Sequence, residues 1–204
     1  MRKPHVSTSL CQISVLSMVC AVALCAQSPV PNLTETGKIV VDGQPASYTI
    51  HRLPVSSFPS LPSEIANILN LRGCMIPQTY EAHRPENVVH ASLKRAGSSD
   101  WAVLCSAEGD VSLLVFLEGQ FDHPAELASA HVNRCLQAHD PSGVLGFNWG
   151  IDRATPKQVH DAQAGLDHGS PLADHDALAD SILERRTVFH FYANGSWTLL
   201  DTPD

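Results

Sequence analysis

Short β-rich apolar runs dominate the middle and the end of this chain, and helical spacing appears only in short intervals between them. Residues 38–41 and 46–52 are β-rich and flank Asp42-Gly43, a dipeptide suited to a tight hairpin. Residues 53–62 carry Pro54, Pro59 and Pro62, which predicts an extended connector. Ile65, Ile68 and Leu69 then fall on one face of a short helix over 63–72, with Gly73 as its natural stop. Residues 77–87 show no period.

Three strand-like runs follow, at 88–94, 101–106 and 111–117, separated by gaps short enough for an antiparallel meander. The LLVF run at 113–116 is apolar on both faces, as expected of a strand covered on two sides. Asp122 and Pro124 read as the cap and first turn of a second helix, with Leu127, Ala128, His131, Val132, Cys135 and Leu136 as its apolar stripe. Residues 143–151 are apolar and glycine-punctuated, a strand with a bulge or a close backbone approach. Thr155-Pro156 opens a third helix carrying Val159, Ala162 and Leu166. Asp174 caps a fourth, with Leu178, Ile182 and Leu183 on one side. The end pairs 187–192 with 197–200 around Asn194-Gly195, a strong hairpin signal. The sum is an α+β domain over residues 37–204, with an antiparallel sheet made of a meander and terminal hairpins and three to four short helices. No repeat of 20–50 residues appears.

The first 26 residues have a different pattern. Arg2 and Lys3 precede an apolar run at 13–26 that ends in small residues and is broken by Gln27, Ser28 and Pro29. That order describes a secretory signal peptide. The run falls short of the roughly 20 apolar residues of a membrane span. Cleavage after Ala26 is favoured over Ala23, and Leu24 before Cys25 is too large for a lipid-attachment site. Residues 27–36 are polar and proline-containing, and read as a flexible tether. No later segment is apolar enough to span a membrane. The expected habitat is the periplasm or the extracellular space.

Composition sharpens this picture. The 204 residues hold 13 Lys and Arg against 21 Asp and Glu, a net charge of −8, and removal of Arg2 and Lys3 with the signal takes it to −10. Such a chain is repelled by nucleic acid and by anionic lipid. Its 44% hydrophobic and 17% charged content are those of a globular protein. The mature part retains three cysteines, Cys74, Cys105 and Cys135, so export implies one disulfide and one leftover thiol. Cys74 follows a helix end and Cys105 sits in a strand run. The expected bridge is Cys74–Cys105, with Cys135 a small buried apolar residue.

Eleven histidines are scattered along the chain, with no HExxH pair. Asp174-His175-Asp176 is the densest run of potential ligands, and helix capping explains it better than a metal does. Asp122-His123 and His139-Asp140 read as cap and turn residues. Phe147, Trp149, Tyr192 and Trp197 are read as core rather than as an aromatic binding patch. No Gly-x-Ser-x-Gly elbow, phosphate loop, dinucleotide fingerprint or paired CxxC occurs, and no cofactor is expected.

Residues 93–119, LKRAGSSDWAVLCSAEGDVSLLVFLEG, resemble one FG-GAP repeat of integrin-type propellers. There an acidic loop before a D-[LW]-A-V strand binds calcium. Here Asp100 alone stands for that acidic set, and one unit cannot close a propeller, so the likeness implies local hairpin geometry without the ion. RGCMIPQTYEAHRPENVVHASL, SSDWAVLCS, VLGFNWGI and DHDALADSILERRTVFHFYANGSW together resemble a group of exported bacterial proteins of unassigned function. That likeness implies export and a single domain, and it carries over no site residue.

The expected function is a non-enzymatic domain that binds an envelope or extracellular protein. One rival is a hydrolase built from distant His and Asp residues, such as His175 with Asp176 or His190. Another is a histidine-rich metal-binding protein.

Overall fold

The computed structural model describes residues 33–164 and 173–201. The signal segment, residues 27–32 of the tether and Leu166 lie outside them. Strand β1 (Leu33–Val41) begins inside the stretch read as tether and pairs along its whole length with β2 (Gln44–Pro54). Asp42 and Gly43 turn the hairpin with φ of 51° and 78°. Both central residues of such a turn need positive φ, which Asp tolerates and Gly adopts freely. Glu35 fastens β1 to β2: it accepts from the Tyr48 hydroxyl at 2.7 Å and pairs with Arg52. These contacts, the Tyr48 hydrogen bond foremost, hold the Glu35 carboxyl below its usual range.

A connector leads to α1 (Ser63–Leu71), whose Ile65 and Leu69 are buried. Strands β3 (Met75–Gln78), β4 (Val88–Ala91), β5 (Asp100–Ala107), β6 (Asp110–Phe116) and β7 (Ala125–His131) follow, then β8 (Leu136–Ala138) and β9 (Leu145–Phe147). They form one nine-stranded sheet in the order β7-β6-β5-β3-β2-β9-β8, with β1 added on β2 and β4 on β5. At Asn148 the chain leaves this sheet for a second one. Its strands β10 (Trp149–Ala154), β11 (Ala177–Ile182), β12 (Arg186–Ala193) and β13 (Ser196–Asp201) lie side by side, all antiparallel. Helix α2 (Pro156–Gln163) sits between β10 and β11 in sequence, opened by a reciprocal Thr155–Gln158 capping box with Pro156 in its first turn.

Three apolar cores separate these layers. Ala102, Leu104, Leu113 and Val115 of the central hairpin meet Trp149, Ile151 and Leu178 of the second sheet. On the opposite face, Trp101, Val103, Leu114 and Phe116 meet Phe58, Leu61, Ile65 and Leu69 of the connector and α1. The outer face of the second sheet, with Ala177, Ala179, Phe189 and Phe191, packs on Val159 of α2. The LLVF run is covered on both faces, as its composition implied.

The fold class differs from the expectation. Thirteen strands and two α-helices are present among the described residues, so the protein is predominantly β rather than α+β with three to four helices. The stretch after Asp122 is β7 followed by a short 3-10 turn at Val132–Cys135. A β-bulge explains the misreading. Leu113 pairs with Ala128 while Leu114 pairs with Glu126, so Leu127 is an extra residue that shifts the alternation and imitates helical spacing. The stretch after Asp174 is β11. Ala177 and Ala179 face α2 while Leu178 faces the other sheet, and a strand buried on both sides carries no alternation to read.

The predicted disulfide is present. Cys74, directly after α1, is bonded to Cys105 of β5, and Cys135 is free and buried. The bridge closes a loop with a sequence separation of 31, which restricts the unfolded chain. Replacing both cysteines by serine is expected to cost about 3–4 kcal/mol in denaturant unfolding. Acid is expected to loosen β1. A carboxyl held low in the folded state stabilises above its ordinary range of about 4.3, and that stabilisation is lost as pH falls through the lower folded value. Amide exchange across β1 should accelerate in that window, and Glu35→Gln should flatten the dependence.

Candidate functional site

Residues 79–86, which show no period in sequence, are locked by side chains rather than by a ladder. Gln78, at the end of β3, donates to the carbonyls of Ile76, Pro77 and Glu86 and accepts from the Glu86 amide at 3.0 Å. Thr79 N–H donates to Glu86 Oε1 at 2.7 Å. The next residue, Asn87, has a φ of 67° and is 2% exposed. Its side chain donates to the carbonyls of Pro77 and Trp149 and accepts from the Ile151 amide, while its own carbonyl accepts from Leu104 N–H. The loop is thereby bonded to β3, β5 and β10.

A groove runs along this loop in two halves of about 390 and 240 Å³ that share His51, Gln78 and Tyr80. His83 and Arg84 line the first half alone, and His139 and Asp140 the second. Tyr80 and His139 stack at 4.7 Å with their planes 10° apart. This plate lies on bare backbone. A Cβ on Gly146 of β9 would come within 2.6 Å of Tyr80 Cβ and 2.9 Å of His139 Cδ2. Tyr80 N–H donates to the Phe147 carbonyl at 2.9 Å. Burial, and then the charges of Glu184 and Glu81, raise the Tyr80 hydroxyl above its usual range, so the ring is neutral at physiological pH. Asp140 accepts from the Ser142 hydroxyl and amide, which keep its carboxyl low and charged. His51 Nδ1 lies 3.0 Å from Thr34 Oγ1.

The other candidate residues are placed apart. Asp174, His175 and Asp176 precede a strand and cap no helix. His175 is buried on Phe191 at 4.6 Å, bonded to Asp174 and to the Tyr192 carbonyl. Its hydrogen bond holds the exposed Asp174 carboxyl low. Asp176 is a clamp between sheets: it accepts from Ser92 N–H at 3.0 Å and Arg153 Nε at 2.9 Å. His190 lies on the opposite face of the second sheet from His175. Its Nε2 is 2.9 Å from Asp180 Oδ2, and Trp149 Nε1 donates to Asp180 Oδ1 at 2.6 Å. Cys135 lies near this group, and burial, then the Asp180 charge, push its thiol up to about 11. A thiol so raised is protonated at neutral pH and a poor nucleophile.

His175, Asp176 and His190 therefore do not converge on one pocket. No group of three or more His, Cys, Asp or Glu side chains able to hold a metal occurs among the described residues. Asp122 and His123 are an exposed pair before β7, not a helix cap, and His139-Asp140 lies in a turn as expected. Phe147 and Trp149 are core residues, and Tyr192 meets Trp197 edge-on at 5.2 Å. In the segment likened to an FG-GAP unit, Asp100 is fully buried and accepts from the amides of Lys94 and Glu118 and the Ser98 hydroxyl. Sequence reading did not single out Gln78, Tyr80, Asn87, Gly146 or Asp180. Asp180 carried a signal, a carboxylate within an otherwise apolar run, since such groups are buried only when paired.

Comparisons with family models, with characterised proteins and with solved structures return no match to this chain. The buried Cys74–Cys105 bridge is compatible with an oxidising environment. No helix among the described residues is long and apolar enough to cross a membrane.

Gly146→Ala should displace the Tyr80–His139 plate and cost about 1–3 kcal/mol in unfolding, with little change in circular dichroism.

Proposed function

We propose that this chain is an exported, non-enzymatic binding domain whose groove takes an extended segment of an envelope or extracellular protein. The Tyr80–His139 plate carries the reading: a flat, half-exposed ring pair held rigidly at the middle of a concave surface. Aromatic plates of this kind supply contact area at low entropic cost. Arg84 in one half and Asp140 in the other carry opposite charges, so a bound segment is read in one direction. The hydrogen bonds of Gln78 and Asn87 fix the floor before binding, which lowers the cost of ordering the site. Export rests on the amino-terminal segment read from the sequence and is supported by the disulfide.

The test is cross-linking capture from envelope extract, with fractionation and amino-terminal sequencing of the mature chain. The expected result is a recurrent protein partner cross-linked at the groove and a mature terminus near Gln27. Tyr80→Ala should weaken capture by about tenfold or more. Repeated absence of a partner, capture unchanged by Tyr80→Ala, or recovery of the intact chain inside the cell would defeat the reading.

A further inference from the structure

A second concavity lies between β7 of the first sheet and β10, β11 and β12 of the second, at the edge of the central core, and the groove does not use it. Its volume is about 190 Å³. That is below the roughly 300 Å³ where sites for drug-sized ligands begin, so its occupant is small. The buried end is formed by Cys135 and Trp149, 2% and 4% exposed, and apolar walls come from Ile182 and Val188. The open end holds Arg134 and Arg186. Both are exposed, and neither makes a salt bridge or a side-chain hydrogen bond among the described residues. Among the described residues, two arginines that pair with no carboxylate thus line one mouth.

We propose that this cavity binds a small monocarboxylate with a short apolar tail. The carboxylate sits at the mouth, where planar guanidinium groups donate paired hydrogen bonds to its two oxygens. The tail enters the apolar interior against the Trp149 ring. The orientation is fixed from both ends. Asp180 lines the cavity with both oxygens already engaged, by Trp149 and by His190, so its charge repels an anion that enters head first. The cavity contributes no activated nucleophile, because the Cys135 thiol stays protonated, and the occupant is bound without being transformed.

Hexanoate is the probe, titrated into the mature full-length protein to roughly 10 mM, which reaches millimolar affinities. The readout is the indole N–H resonance of Trp149, which donates to Asp180 and is assigned with Trp149→Phe. Hexanol supplies the tail without charge, and acetate the charge without the tail. Hexanoate should give a saturating shift at least about tenfold tighter than either control. Arg134→Gln and Arg186→Gln should each weaken it by about tenfold, while Arg185→Gln, outside the cavity, should leave it unchanged. Thermal melting shows that each variant is folded. No shift with hexanoate, equal binding of hexanol, or full affinity in both arginine variants would overturn the proposal. Tyr80→Ala belongs to the groove and should not alter hexanoate binding, so the two sites fail or stand separately.

Discussion

Two stacked sheets made from one chain must solve the crossing between them without stranding backbone groups in the core. Asn87 meets that constraint here. Its left-handed backbone lets one buried side chain satisfy a donor from β10 and carbonyls from both β3 and β10, while its own carbonyl takes an amide from β5. Each of these groups, left unpaired in the interior, would cost about 1–3 kcal/mol. The remaining crossing is handled by Asp176 between Ser92 and Arg153 and by Asn148, whose amide and carbonyl reach Cys135 and Leu183. Apolar cores supply the bulk of the stabilisation, and these few polar struts set the position of one sheet on the other.

Local chemistry made part of this fold readable. Asp42-Gly43 and Asn194-Gly195 specify their turns because two successive residues must adopt positive φ, and the same geometry recurs at Glu108-Gly109. Thr155 and Pro156 announce α2, and the spacing of Ile65 and Leu69 announces α1. The failures share a cause. Periodicity reports one buried face, and β7 breaks its period at a bulge while β11 has no exposed face at all. The groove was illegible for a related reason. Tyr80 and His139 are 59 positions apart in sequence, and what joins them is the absence of a side chain at Gly146, which no local pattern reveals. The disulfide was readable because one cysteine followed a helix end and another lay in a strand.

The two concavities draw on different physics. The groove is open, mixed in polarity and anchored in part on irregular chain, with its rigidity supplied by side-chain hydrogen bonds from Gln78. The cavity between the sheets is small, and its walls come from regular strands and the 3-10 turn that carries Cys135. Asp180 links the latter to the core: it holds the indole of Trp149 and the imidazole of His190 in fixed orientations, and its charge adds to the burial that raises the adjacent thiol. The histidines that stood out in the sequence thus divide into separate local duties, one stacked on Tyr80, one on Phe191, one bonded to Asp180.

The covalent link between Cys74 and Cys105 has a mechanical meaning. Tension applied to the two ends of the chain passes directly from one sulfur to the other and bypasses every residue between them. β3, β4, the Asn87 strut and the Gln78–Arg84 wall of the groove all lie within that bypass. A pull from the amino end can unzip β1 and strip α1, and at the bridge the load crosses to Ser106 and β6 while the covalent path through the closed loop is spared.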